Sequence, residues 1–83
     1  MAPRDIVKVL RRKPFVPFRI TSTEGSTYEI RHPEFCIVTR DSVVIGLPVE
    51  GDAYLLAETT VIVDVAHVVK LEPVSASPKG KKS

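Results

Sequence analysis

Apolar and polar positions along the chain follow two different periods, and the change between them falls at Pro14-Phe15-Val16-Pro17-Phe18. Upstream, Ile6, Val7 and Leu10 stand at i, i+1 and i+4, one face of a helical turn. Pro3 suits the first turn of a helix, where its missing N–H costs nothing. Arg11, Arg12 and Lys13 fall in the predicted last turn, where cations complement the carbonyl end of the helix dipole. Pro14 disfavours helical backbone at Lys13, so the pattern predicts a helix over Pro3 to Lys13. A helix of about ten residues is marginal alone in water and needs a surface to dock on.

From Val16 the period becomes two. Phe18 and Ile20 alternate with Arg19 and Thr21, Glu24-Gly25 marks a tight turn, and Tyr28 and Ile30 alternate with Thr27, Glu29 and Arg31. The pattern predicts a β-hairpin that buries Phe18, Ile20, Tyr28 and Ile30, broken at His32-Pro33 because proline cannot donate to a ladder. Phe35 to Thr39 reads as a third strand, turned by Asp41-Ser42. Val43 to Leu47 reads as a fourth, stopped by Pro48. Thr59 to Val65 is β-branched and strand-like, and Val68 to Glu72 is the last strand, closed by Pro73. The stretch from Ala53 to Glu58 fits either an extra strand or a helical turn.

The sum is a mainly β fold: a short N-terminal α-helix followed by five or six antiparallel strands. So few strands enclose one core best as a strongly bent sheet or a small open barrel, with the helix plugging one end. Residues 1–74 are expected to form this single domain. Residues 75–83 hold Ser, Pro, Gly and Lys without an apolar anchor and read as a disordered basic tail. The two prolines bracketing Phe15 and Val16 predict a stiff, extended junction. In it Phe18 enters the core and Phe15 anchors the helix against the open end of the β unit.

Length adds one constraint. Eighty-three residues allow one domain, and a chain of this size buries only about 60% of its unfolded surface, a thin margin. Small β domains often supplement such a core by oligomerising, which also covers strand edges. Cys36 is the lone cysteine, so neither a disulfide within the chain nor a Cys/His zinc staple is expected. A lone thiol fits a reducing interior. The early residues lack the apolar core of a secretory signal, and no apolar run approaches the roughly 20 residues of a bilayer span. A cytoplasmic protein with no membrane partner is expected.

Charge is unevenly placed. Residues 1–13 carry five cations and one acid, residues 14–74 four cations and nine acids, and the tail three lysines, for a net charge of +2. A protein that gripped a phosphate backbone across its sheet should have the opposite layout. The strongest partner signal is therefore the basic segment Arg4, Lys8, Arg11, Arg12 and Lys13, a face for RNA, other nucleic acid or an acidic protein. Its plainer reading is a solvated helix face.

Candidate chemistry is sparse. His32, Glu34 and Cys36 alternate, and on an extended segment would share one side. His-x-Glu occurs in zinc deaminases, but the Pro-Cys-x-x-Cys those enzymes require is absent. Asp64 and His67, three apart, would meet on a helical turn and orient an imidazole for acid–base work. Capping of a turn by Asp64 is the plainer reading. The four glycines are isolated, so no phosphate loop is present. No serine has a nucleophile-elbow context. The expectation is a non-enzymatic protein without a cofactor.

Two resemblances bear on the fold. Leu10 to Ile20 (Leu-Arg-Arg-Lys-Pro-Phe-Val-Pro-Phe-Arg-Ile), Glu24 to Ile30, His32-Pro33-Glu34 and Val68 to Pro73 resemble a family of short bacterial proteins from planctomycetes and similar environmental bacteria. That family usually has Asp-Gly where this chain has Glu24-Gly25, and it has no established activity, so the resemblance implies no functional residues. At the level of fold alone, the order of helix, bent strands, a short turn at Val65-Ala66-His67 and a last apolar strand is similar to Sm-like RNA-binding proteins. These form rings by pairing strand edges and bind RNA along the pore and faces. Their Tyr-Lys-His signature is missing here; the equivalent stretch is Asp64-Val65-Ala66-His67. The combined expectation is an Sm-like or SH3-like barrel acting as a homo-oligomeric interaction module, with RNA binding through the basic helix as the alternative.

Overall fold

The computed structural model describes residues 1–49 and 56–74. These form one α-helix, α1 (Pro3–Leu10), and six strands: β1 (Phe18–Ser22), β2 (Thr27–Ile30), β3 (Cys36–Val38), β4 (Ser42–Pro48), β5 (Ala57–Asp64) and β6 (Val68–Pro73). Single 3-10 turns, Pro33–Phe35 and Val65–His67, link β2 to β3 and β5 to β6. Every strand pair is antiparallel, in two three-stranded sheets ordered β2-β1-β6 and β3-β4-β5. The mainly β reading with six strands is borne out. The acidic loop from Glu50 to Asp52, residues 53–55 of the ambiguous stretch, and the tail lie outside the described residues, while Ala57 and Glu58 belong to β5.

The first hairpin follows its sequence signals closely. Ser22 N–H donates to Ser26 O and Gly25 N–H to Ser22 O, both at 2.9 Å. Gly25 takes φ +87°, the left-handed position that closes a three-residue hairpin loop and that glycine fills without a Cβ penalty. Phe18, Ile20 and Ile30 are buried and Tyr28 packs against them.

The core lies between the two sheets. Phe18, Ile20, Ile30 and Val68 come from the first, Cys36, Val43, Ile45 and Val63 from the second, and Ile6 from α1. Val9, Leu10 and Phe15 pack on its rim, and Phe15 meets Phe18 edge to face with ring centroids 6.1 Å apart. The helix is shorter than its pattern predicts. It ends at Leu10, with Arg11 N–H bonding Val7 O (3.0 Å) and Arg12 N–H bonding Val9 O (3.4 Å). The second bond spans three residues rather than four and tightens the chain out of the helix. Lys8 is thus the basic residue of the last turn, and Arg11 to Lys13 lie beyond it. No helix among the described residues is long and apolar enough to cross a membrane.

Candidate interaction surface

The outer faces of the two sheets differ in kind. On the first, β1 places Arg19 opposite Glu29 of β2 and Glu72 of β6. Arg19 reaches Glu29 at 3.1 Å and Glu72 at 3.7 Å. Arg31 adds a bond to Glu29 at 2.9 Å, and Lys70 stands 3.8 Å from Glu72. The Arg19 hydrogen bond, with help from Arg31, holds the Glu29 carboxyl below its ordinary pKa despite some desolvation. This face is a ladder of paired charges, satisfied within the chain and half open to water.

The second sheet faces outward with apolar side chains. Residues of β4 alternate, so Val43 and Ile45 point to the core and Val44 points away. Register puts Ile37 of β3 and Ile62 of β5 directly beside Val44. The three form one row across the sheet, and its ends are open to solvent: Ile37 is 61% and Ile62 69% exposed. Next to the row, Phe35 lies over Gly46, where an added methyl would sit 3.7 Å from its ring and 3.5 Å from Ala57 Cβ. A shallow groove of about 180 Å³ runs there between Phe35, Ile37, Val44, Ala57 and Thr60. An exposed apolar row of this kind marks a contact surface more often than does a scattered single residue.

The basic segment is placed as a rim. Arg4 and Lys8, four apart on α1, are exposed, as are Arg11, Arg12 and Lys13 after the helix. None of the five pairs with an acid among the described residues. Arg11, Arg12 and Lys13 border an open depression whose floor is Leu10, Phe15 and Pro33.

The candidate catalytic groups are distributed differently from what alternation implied. His32 precedes the 3-10 turn and packs its ring edge-on against Phe35 at 6.1 Å. Glu34 is exposed on that turn, and Cys36 is buried in β3, where burial pushes its thiol up to about 11. The turn at Pro33 breaks the extended spacing that would have set the three on one side. Among the described residues no three His, Cys, Asp or Glu side chains converge as metal ligands. Asp64 and His67 do border one groove, of about 170 Å³, with Ser22, Thr23 and Tyr28. Asp64 Oδ1 accepts the Ala66 N–H at 2.8 Å, the turn cap read from sequence, and His67 Nδ1 shares a hydrogen bond with the Thr23 hydroxyl at 3.2 Å.

Sequence reasoning missed the row Ile37, Val44 and Ile62. The available signal was the doubly apolar runs Ile37-Val38, Val43-Val44-Ile45 and Val61-Ile62-Val63, which leave one apolar side chain in each strand facing away from the core. No family model matches the chain, and no curated protein or solved structure matches it.

Proposed function

We propose that this protein is a non-catalytic interaction module that associates with copies of itself through its second sheet. The observation that carries the reading is the contrast of faces. The first sheet pairs Arg19, Glu29, Lys70 and Glu72 with one another and leaves Val69 as its exposed large apolar side chain, whereas the second presents the adjoining row Ile37, Val44 and Ile62 and ends in the long strand β5. In this reading the sheets are two halves of one small open barrel of the Sm-like or SH3-like kind. Its support is connectivity: β2 passes into β3, and β5 into β6, each through one 3-10 turn. The test is light scattering on a size-exclusion column from about 10 µM to several hundred micromolar, the range in which modest interfaces dissociate. A mass that rises above the monomer is the expected result, and a monomer throughout sinks the proposal.

The five exposed cations, without acid partners among the described residues, favour a second reading, binding of RNA. Five phosphate contacts would make the logarithm of the affinity fall with log salt at a slope of roughly −3.5 on a single strand. Replacing Arg11, Arg12 and Lys13 by Ala should flatten that slope. Absence of salt-sensitive binding at low salt removes this reading and leaves the first intact.

A further inference from the structure

We propose that two copies of the chain join through β5, antiparallel about a two-fold axis passing beside Ile62, an assignment that rests on the self-association proposed above. Four strands end the two sheets among the described residues, and three are blunted in the ways that protect edges. β2 has four residues and its Glu29 is held by Arg19 and Arg31. β3 has three residues. In β6 the register slips so that Val69 has no partner on β1, and Lys70 and Pro73 follow. β5 has eight residues; its register also slips, at the Pro48 end where Glu58 has no partner on β4, but the stretch beyond, Thr59-Thr60-Val61-Ile62-Val63, keeps its register and contains no charge, proline or glycine.

Backbone geometry fixes what this edge offers. Val65 N–H donates to Asp41 O at 2.9 Å, and residues two apart on a strand aim their backbone groups to the same side. Val61 and Val63 therefore bond β4, while Thr60 and Ile62 turn N–H and C=O to the open side. A second copy related by a two-fold axis must then set an even-numbered residue against an even-numbered one. Pairing centred on Val61 would bring Glu58, at the register slip, up to Asp64 of the other copy twice, like charges close together. Pairing centred on Thr60 would bring Glu58 up to Ile62. Pairing centred on Ile62 sets the two isoleucines side by side and Thr60 beside Asp64, whose carboxylate accepts from the threonine hydroxyl. The ladder is shorter, and the apolar row becomes continuous: Ile37, Val44, Ile62, then the same three in reverse order.

Oxidative crosslinking of the full chain tests the pairing, alongside light scattering. The unmodified protein is the control, because its Cys36 is buried. Ile62→Cys is expected to crosslink, since residues opposite in such a pair have Cα atoms about 5.5 Å apart, within disulfide reach. Thr60→Cys is expected not to, its two copies lying roughly 14 Å apart along the ladder. Ile62→Lys should raise the dimer Kd roughly a hundredfold by placing two ammonium groups at the axis. Thr60→Lys should lower it a few-fold by facing Asp64, a gain that a misfolded variant cannot mimic. A dimer that crosslinks through Thr60→Cys, or through neither, overturns this pairing while self-association stands. A monomer at every concentration overturns both.

Discussion

Replacing Ile6 by alanine tests how the helix is held. Ile6 is the sole side chain of α1 that is completely buried, and it sits in the layer between the sheets. The substitution removes three carbons, worth roughly 2.5 kcal/mol of transfer free energy at about 0.8 per methylene. The cavity left behind brings the total to about 3–4 kcal/mol. A domain of about 70 residues has about 4–10 kcal/mol in all, so a third or more of the stability is at stake. With a urea m-value near 1 kcal/mol/M for so small a chain, the midpoint should fall by about 3 M. Because eight residues cannot sustain a helix alone, the loss has a ceiling: once undocked, α1 can lose no more. Urea unfolding followed by far-UV circular dichroism, with hydrogen exchange on residues 3–11, separates the two regimes. A midpoint shift below about 0.5 M with unchanged helix protection would refute the argument, since it would mean that Ile6 is not held in the core.

Phe15→Ala removes the ring that packs on Phe18 and the core rim, and should cut amide protection in α1 more than in β4; equal protection in α1 and β4 contradicts it. Gly25→Ala, at φ +87°, should cost about 1–2 kcal/mol, whereas Gly46→Ala should change stability by no more than about 0.5 kcal/mol, because its methyl meets ordinary contacts at 3.5 and 3.7 Å. Thr21 Oγ1 is buried without a hydrogen-bond partner among the described residues, so Thr21→Val, equal in shape, should raise stability by about 1 kcal/mol in the same urea assay; a loss would show that the hydroxyl is satisfied. The pH profile should fall at both ends. Glu29 has a lowered folded pKa, so its share of stability is present above the ordinary carboxylate range and is lost as pH falls below that range and through the lowered folded value, a slope that Glu29→Gln should reduce. Cys36 has a raised one, about 11, so stability is lost as pH rises from about 9 towards that value, and Cys36→Ala should flatten the alkaline limb.

Much of the first sheet was legible because its strands keep strict alternation. Phe18, Ile20 and Ile30 are separated by Arg19, Thr21, Glu29 and Arg31, and only one face can be buried. The second sheet was legible as strands but not as faces. In Val43-Val44-Ile45 and Val61-Ile62-Val63 both parities are apolar, so period two cannot say which side meets the core. That decision is made by the other sheet, which lies far away in sequence. The helix end was misplaced because cations near a C-terminus and a following proline fit a helix ending anywhere in the last few residues. It ends at Leu10, the last residue of α1 that packs on the core rim. The chemical candidates were separated for a related reason: the turn at Pro33 reorients His32, Glu34 and Cys36 in a way that spacing alone does not report.

Strand order also dictates a sequence of events during synthesis. β1 lies between β2, its near neighbour, and β6, which follows roughly 50 residues later. The second sheet uses only contiguous residues, 36–64, joined as successive antiparallel neighbours. Local pairings close faster than distant ones, so on a ribosome the later sheet in the chain can be complete while the earlier one still waits for its third strand. During that interval Phe18 and Ile20 lack half their cover, and the open side of β5 is already formed. A nascent chain stalled before residue 68 should therefore be sticky, and emergence of β6 should cover Phe18 and Ile20 while the open side of β5 stays available.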